Sequence, residues 1–373
     1  MVRFRIMNYL SPNDIKFISI DHTSKCNLAC PQCARTNNNL LPMADLTIDD
    51  YKSFITPITN ALLGLFYCGN YGDAIASNTL MPILEWLYLD SAFTGRVDIV
   101  TNGSLRDKKW WTKLATLIGN RGSIRFSIDG LGETNHIYRV NSNFDKIIEN
   151  ASAYLGAGGV AHWDFLVFKH NEHEIDQAQD LARTLGFSTF KIKQTNRFMS
   201  YHDASAKGTS WPDNTVAMTT VEQFQGMVKT NLGNILEKHG SWANYSDSCQ
   251  ITCKAKADHR LFIDFNARIW PCTWTAGGPY YTGKNDVQRA DALRILDKYG
   301  TNFNSLRHFS LEEILQHEYY ATDLNASWSS TSGSSNPKLE ACVRFCGNEL
   351  ETSSGWESPN NKNNEVFQLQ QPI

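Results

Sequence analysis

Between Lys16 and Lys193, short runs rich in β-branched and aromatic residues alternate with stretches whose apolar residues recur every three or four positions. The short runs fit strands, and the longer stretches fit helices with one buried face. Strands are predicted at Phe17–Ile20, Leu62–Tyr67, Val97–Val100, Ile124–Ile128, Phe165–Phe168 and Thr189–Lys193. Helical spacing links Leu80, Ile83, Leu84 and Leu87, then Phe144, Ile147, Ile148 and Ala151, then Ile175, Ala178, Leu181, Ala182 and Leu185. Gly186 stands where the third of these helices would end in a left-handed residue. Such alternation gives parallel strands joined by crossover helices. Six β/α units are too few for a closed eight-unit barrel. The expected fold class is therefore α/β: a partial (β/α)6 TIM-like barrel followed by a smaller α+β region.

After the last of these strands the pattern changes. The polar segment Ser200–Asn214 leads to a helical stretch at Val221–His239, which reads as a linker. Beyond it a hairpin is predicted at Leu261–Trp270, and Ser310-Leu311-Glu312-Glu313 has the form of a capping box opening a helix. The expected organisation is a barrel over 14–200, a linker over 201–245, a cysteine-containing domain over 246–350 and a disordered tail over 351–373. Serine-rich Asn325–Pro337 and the Asn- and Gln-rich stretch Thr352–Ile373 both have compositions expected of disorder.

With 373 residues, 42% of them hydrophobic, the chain can fill sizeable cores. A formal charge of -3 gives no bulk electrostatic reason to expect nucleic acid or an anionic membrane as partner. No run of about 18 apolar residues is present, and the start MVRFRIMNYLSPND has no signal-peptide core, so a cytoplasmic protein is expected. Nine cysteines in a reducing compartment are better read as metal ligands or catalytic groups than as disulfides.

Three of them, Cys26, Cys30 and Cys33, lie in KCNLACPQC directly after the first strand. A closed four-iron cluster takes four cysteines, so a three-cysteine loop leaves one iron open to another ligand. Zinc also takes four ligands, and His22 or Cys68 are candidates to complete such a site. The spacing C-x3-C-x2-C resembles the signature of the radical S-adenosylmethionine (SAM) superfamily. That resemblance implies a 4Fe-4S cluster whose open iron chelates SAM, and an electron from the cluster that breaks SAM to a 5'-deoxyadenosyl radical. Where many members carry an aromatic residue before the third cysteine, this chain has Gln32.

Further segments resemble the same family. Gly69-Asn70-Tyr71-Gly72-Asp73, after strand two, is similar to the Gly-Gly-Glu segment that receives the SAM amino group, with Asp73 in place of the usual Glu. Thr101-Asn102-Gly103 follows strand three. Ser127-Ile128-Asp129-Gly130 and Tyr138-Arg139 resemble a pairing in which the Ser and Arg bind the SAM carboxylate, a role that the guanidinium fork suits. The resemblance thus implies cofactor-binding roles for Gly69, Asn70, Gly72, Asp73, Ser127 and Arg139. Val167 and Phe168 are candidates for packing on adenine, and apolar strand residues are also ordinary core. All these segments follow strands and would face one mouth.

A second set lies in the C-terminal part, with Cys253 and Cys272 flanking the predicted hairpin and Cys342 and Cys346 later. It resembles the twitch form of the SPASM extension, which implies an auxiliary 4Fe-4S cluster held by those four. Zinc satisfies four cysteines equally well. Cys249, four residues before Cys253, is an alternative ligand, and Ala267 stands where the family hairpin carries glycine. Cys68 reads as a small buried hydrophobe, with a hydrogen-atom donor as the functional alternative.

The resemblance spans about Asp14 to Gly347. It implies reductive SAM cleavage and hydrogen abstraction from a peptide or protein side chain or a small molecule. The auxiliary cluster would serve electron transfer or substrate positioning, and the electron would come from a donor such as flavodoxin or ferredoxin. The short stretch ahead of the first strand implies no fused leader-peptide-binding domain there. The competing expectation is a noncatalytic zinc- or cluster-binding module for protein or nucleic-acid contact.

Overall fold

The structure, a computed structural model, describes residues 9–31, 33–36, 38, 41–193, 228–280, 287–349 and 366–369. Gln32, the polar segment 200–214, the first part of the predicted linker helix and most of the tail lie outside the described residues.

The six predicted strands form as β1 (Phe17–Ile20), β2 (Gly64–Tyr67), β3 (Arg96–Thr101), β4 (Gly122–Ser127), β5 (Ala161–Leu166) and β6 (Thr189–Lys193). They pair in parallel and in sequence order. A doubly wound sheet would reverse that order at a switch point; a single direction of winding is the arrangement of a partial barrel. Between the strands run α1 (Ile48–Ile55), α2 (Leu80–Glu85), α3 (Lys108–Ile118), α4 (Glu133–Tyr138), α5 (Phe144–Gly156) and α6 (Ile175–Leu185). Asp107 and Asn143 cap α3 and α5 with side-chain oxygens, and Gly186 ends α6 at a φ of 87°.

Alternate strand residues pack against the helices. Phe126 meets Trp111 and Phe187, and Trp163 meets Phe187 and Phe190. The same alternation corrects one expectation. β5 lies earlier than predicted, because Ala161, Trp163 and Phe165 are its buried face while His162 and Asp164 occupy the other. Asp164 is itself buried, between Arg125 of β4 at 3.4 Å and Lys193 of β6, which hold its carboxyl below the usual range against the opposing effect of burial.

The C-terminal hairpin, β7 (Arg260–Ile263) and β8 (Ile269–Trp270), is built into the same sheet: β7 pairs in parallel with β1 and antiparallel with β8. Its turn places Ala267 at a φ of 58°, so alanine adopts the backbone that glycine takes without strain, at a cost of roughly 1 kcal/mol. Arg307 grips Asp50 of α1 with two bonds of 2.9 Å and ties the C-terminal region to the first barrel helix. The capping box at Ser310 and Glu313 forms as expected.

Both predictions of disorder need correction. Residues 324–327 are helical, Ser332 bonds twice to Asp247, and Asn336 reaches the Asp323 carbonyl. Polar bonding orders this stretch where apolar burial does not. In the tail, β9 (Val366–Gln368) pairs antiparallel with β6 and completes a nine-stranded sheet. Among the described residues no helix is long and apolar enough to cross a membrane.

Candidate active site

Because β1 to β5 are parallel, the loops that follow them share one side of the sheet, and the predicted cofactor segments meet there. The loop after β1 is pinned along its length. Ser24 donates to Pro42 and receives from Ala44, Lys25 pairs with Asp45 at 2.5 Å, and the Ala29 N–H donates to the Val140 carbonyl. Cys26, Cys30 and Cys33 cluster here with Leu28, Tyr138, Leu166 and Phe168. Burial and the nearby Asp73 push the Cys26 thiol up to about 12, so loading of iron would release protons.

Neither proposed fourth ligand reaches this loop. His22 is buried with one ring nitrogen 3.2 Å from the Tyr51 hydroxyl and the other 3.1 Å from that of Thr79, and burial draws its pKa down to about 4. Cys68 packs against Phe262, Trp270 and Ala276 under the hairpin, with its sulfur 3.4 Å from the Ile20 carbonyl. Three thiols therefore share this loop, and among the described residues no group of three or more His, Cys, Asp or Glu closes on a single metal point.

The loop after β2 lies hard against the cysteine loop. A Cβ on Gly72 would stand 2.1 Å from the Thr23 carbonyl oxygen and 2.9 Å from that of Lys25. The next residue, Asp73, is buried. Its carboxylate accepts from the Asn102 N–H and side chain at 2.7 Å each, from the Thr101 hydroxyl at 3.0 Å and from the Ile75 N–H. These bonds fasten the loop after β2 to Thr101-Asn102-Gly103. Asn102 in turn lies 3.7 Å from the Cys26 sulfur and bonds Asn27. The Asn70 side chain turns the other way, to Thr273 beside Cys272, and its N–H donates to Asp21.

At the end of β4, the Ser127 hydroxyl has no partner among the described residues. Arg139, after α4, donates from Nε to Asp129 at 2.6 Å and lies near Cys30; burial opposes its charge, and Asp129 and Cys30 outweigh that and hold it protonated. Its two terminal nitrogens have no protein partner among the described residues, so the fork is anchored at its base and free at its tip. Sequence reasoning passed over Asp129, although it lies within the quoted segment: 1% exposed, it also receives the Leu166 N–H, joining β4 to β5. Phe168 stacks on His170 and packs on Tyr138 beside the cysteines, whereas Val167 is plain core.

The second cysteine set also assembles. Cys253, Cys272, Cys342 and Cys346 line one cavity with about 490 Å³ of empty volume, part of it open to solvent. Pro271, Leu324, Trp328 and the stacked rings of Trp274 and Phe345 form much of its wall. Cys253 and Cys346 are within hydrogen-bond reach, which holds the Cys253 thiol below its ordinary range and pushes Cys346 above. Burial pushes Cys272 up to about 11. Cys249 is elsewhere, packed with Ile235, Tyr245 and Val343 and bonded to the Ser246 carbonyl. The structure thus groups Cys253, and not Cys249, with the other three.

No protein-family model matches the chain. One curated protein, the AdoMet-dependent heme synthase of Methanosarcina barkeri (strain Fusaro / DSM 804), is 25% identical over 182 residues, 48% of this chain and 50% of that protein. The name of that relative agrees with the resemblance of the cysteine loop to the radical SAM signature. The chain spans about half the length of the curated relative it matches. Among solved structures, SuiB of Streptococcus suis bound to precursor peptide SuiA is similar with a TM-score of 0.48 and 14% identity, over 88% of this chain and 76% of that one. The structure of anSMEcpe with bound AdoMet has a TM-score of 0.49 and 15% identity, over 88% and 90% of the two chains. In this chain the loops after five strands supply the candidate cofactor groups.

Proposed function

We propose that this protein binds a 4Fe-4S cluster through Cys26, Cys30 and Cys33, uses it to cleave SAM reductively, and abstracts hydrogen from a peptide, protein side chain or small molecule. The observation that carries this reading is the three-thiol loop whose neighbouring candidates for a fourth ligand are both engaged elsewhere. Bound there, the cluster would supply one electron to split SAM into methionine and a 5'-deoxyadenosyl radical, which takes a hydrogen atom from substrate.

The chain's own contribution is placement. Arg139 presents two unpaired N–H groups to the SAM carboxylate, with Asp129 fixing their direction, and Ser127 offers a hydroxyl from the adjacent strand end. The loop Gly69–Gly72 offers backbone carbonyls to the amino group, while Asp73 and Asn102 keep that loop, Thr101 and Cys26 in register. Phe168 and Tyr138 shield the cysteine loop with apolar surface. Electrons would come from a donor such as flavodoxin or ferredoxin.

The four-cysteine cavity supports an auxiliary cluster. Its candidate ligands are all soft thiols, the donor set of iron-sulfur clusters.

The test is anaerobic reconstitution with iron and sulfide, reduction, and assay of 5'-deoxyadenosine formed from SAM. The wild type is expected to give the nucleoside and about eight irons per chain, and the Cys26, Cys30, Cys33 triple alanine variant about four irons and no nucleoside. Equal nucleoside yield from the two proteins, or zinc in place of iron at the first loop, rejects the assignment.

A further inference from the structure

The four-cysteine cavity carries hydrogen-bond donors that its thiols do not explain. Tyr9 comes from far outside the cysteine segments, yet it is 1% exposed; its hydroxyl donates to the Pro271 carbonyl at 3.2 Å and lies 3.5 Å from the Cys253 sulfur, where either group can be the donor while the thiol is protonated. On the far wall, the Trp328 indole N–H is buried beside the four-cysteine cavity and has no hydrogen-bond partner among the described residues. A buried N–H without an acceptor is costly, on the order of 1–3 kcal/mol, and native interiors retain few of them. The Lys256 ammonium sits over both rings, 5.8 Å from Tyr9 and 5.6 Å from Trp328, while its own backbone N–H donates to Cys253 at 3.5 Å. Tyr9 and Trp328 also pack edge to face, so the two donors are parts of one assembly.

With neutral thiols these contacts are weak. With thiolates the sulfur becomes a charged acceptor and can only receive, so the same geometry yields charge-assisted bonds. Donors directed at cluster sulfurs favour the reduced, more negative state and raise its reduction potential. We propose that Tyr9 and Trp328 are positioning residues that donate hydrogen bonds to sulfurs of the auxiliary cluster, Tyr9 to that of Cys253, and raise its reduction potential. The proposal rests on the reading that these four cysteines hold a cluster.

The experiment uses the full chain carrying the Cys26, Cys30, Cys33 triple alanine substitution, so that only the second cluster contributes to the signal. Midpoint potentials are read by EPR-monitored redox titration for this parent and for added Tyr9→Phe, Trp328→Phe and both together. Each single variant is expected to titrate at a more negative potential than the parent, and the double variant at the most negative. Tyr320→Phe is the control for general disturbance. Its hydroxyl donates to the Ile269 carbonyl at 2.6 Å and to no sulfur, and that carbonyl keeps the Asn304 amide as a second donor. Its midpoint is expected to stay at the parent value. Full iron content with unmoved midpoints in Tyr9→Phe and Trp328→Phe overturns this inference and leaves the cluster reading standing, as does an equal shift in Tyr320→Phe. A parent that holds zinc, or no iron and sulfide, overturns the cluster reading and this inference with it.

Discussion

Gly72→Ala removes the first cluster and with it SAM cleavage, although residue 72 ligates nothing. The added methyl has nowhere to go. Its carbon would lie 2.1 Å from the Thr23 oxygen, 2.8 Å from the Thr23 carbonyl carbon and 2.9 Å from the Lys25 oxygen, all backbone atoms of the loop that carries the cysteines. A flexible side chain could turn aside; these atoms are fixed, since Ser24 and Lys25 are bonded to the segment Pro42–Asp45 and the Asp73 N–H donates to the Lys25 carbonyl at 2.8 Å. The two loops must separate, which displaces Cys26 and the Asn102 amide beside it. The cost to stability is expected to be about 3 kcal/mol, the upper end of ordinary overpacking. The measurement is iron per chain after anaerobic reconstitution. It is expected to fall from about eight to about four, because the second cavity is untouched. Full iron content in Gly72→Ala would show that the loops are not coupled as described.

Arg139→Gln has the second largest effect, and it acts on affinity and stability by separate routes. The guanidinium tip faces the mouth while its Nε is bonded to Asp129. Loss of the fork removes charge-assisted bonds to the SAM carboxylate worth about 1.5–3 kcal/mol, which weakens SAM binding by roughly ten- to a hundred-fold. Asp129 is 1% exposed and loses its counter-charge, so the fold is also weakened, by about 3 kcal/mol. Equilibrium SAM binding to folded, reconstituted protein isolates the first effect, and denaturant unfolding reads the second. Arg139→Lys is expected to restore most of the stability and little of the affinity, because an ammonium reaches Asp129 without providing a fork. Wild-type SAM affinity in Arg139→Gln removes this residue from the binding site.

The barrel was legible wherever one periodicity governed a segment. β1, β6 and the helix ended by Gly186 fall at their predicted bounds, because their apolar residues are nearly continuous, alternating or helical in spacing. β5 was misplaced because Asp164 interrupts the apolar run, and a sequence does not show that Arg125 and Lys193 on adjacent strands will neutralise it. The hairpin was foreseen, but its pairing with β1 was not, since parallel partners separated by more than two hundred residues leave no local trace.

At the site, residue types and spacing marked the cysteines, while side-chain direction stayed hidden. Asp73 and Asn70 sit in the expected loop, yet one turns inward to Asn102 and the other outward to Thr273. Tyr9 and Trp328 carried no signal at all. Their nearness to Cys253 and to its cavity exists only once the sheet has brought the ends of the described chain together. The order in 325–337 was equally unreadable, because it comes from bonds to Asp247 and Asp323 and not from composition.

The central claim is that the first cysteine loop leaves one iron without a protein ligand and that SAM takes the place. EPR of the anaerobically reduced protein, recorded with and without SAM, tests it most directly. The account predicts that SAM alters the signal of one cluster and leaves the other unchanged, and that the responsive signal is missing from the Cys26, Cys30, Cys33 triple alanine variant. Signals unchanged by saturating SAM, with hyperfine coupling from a side-chain nitrogen at the first cluster, would contradict it.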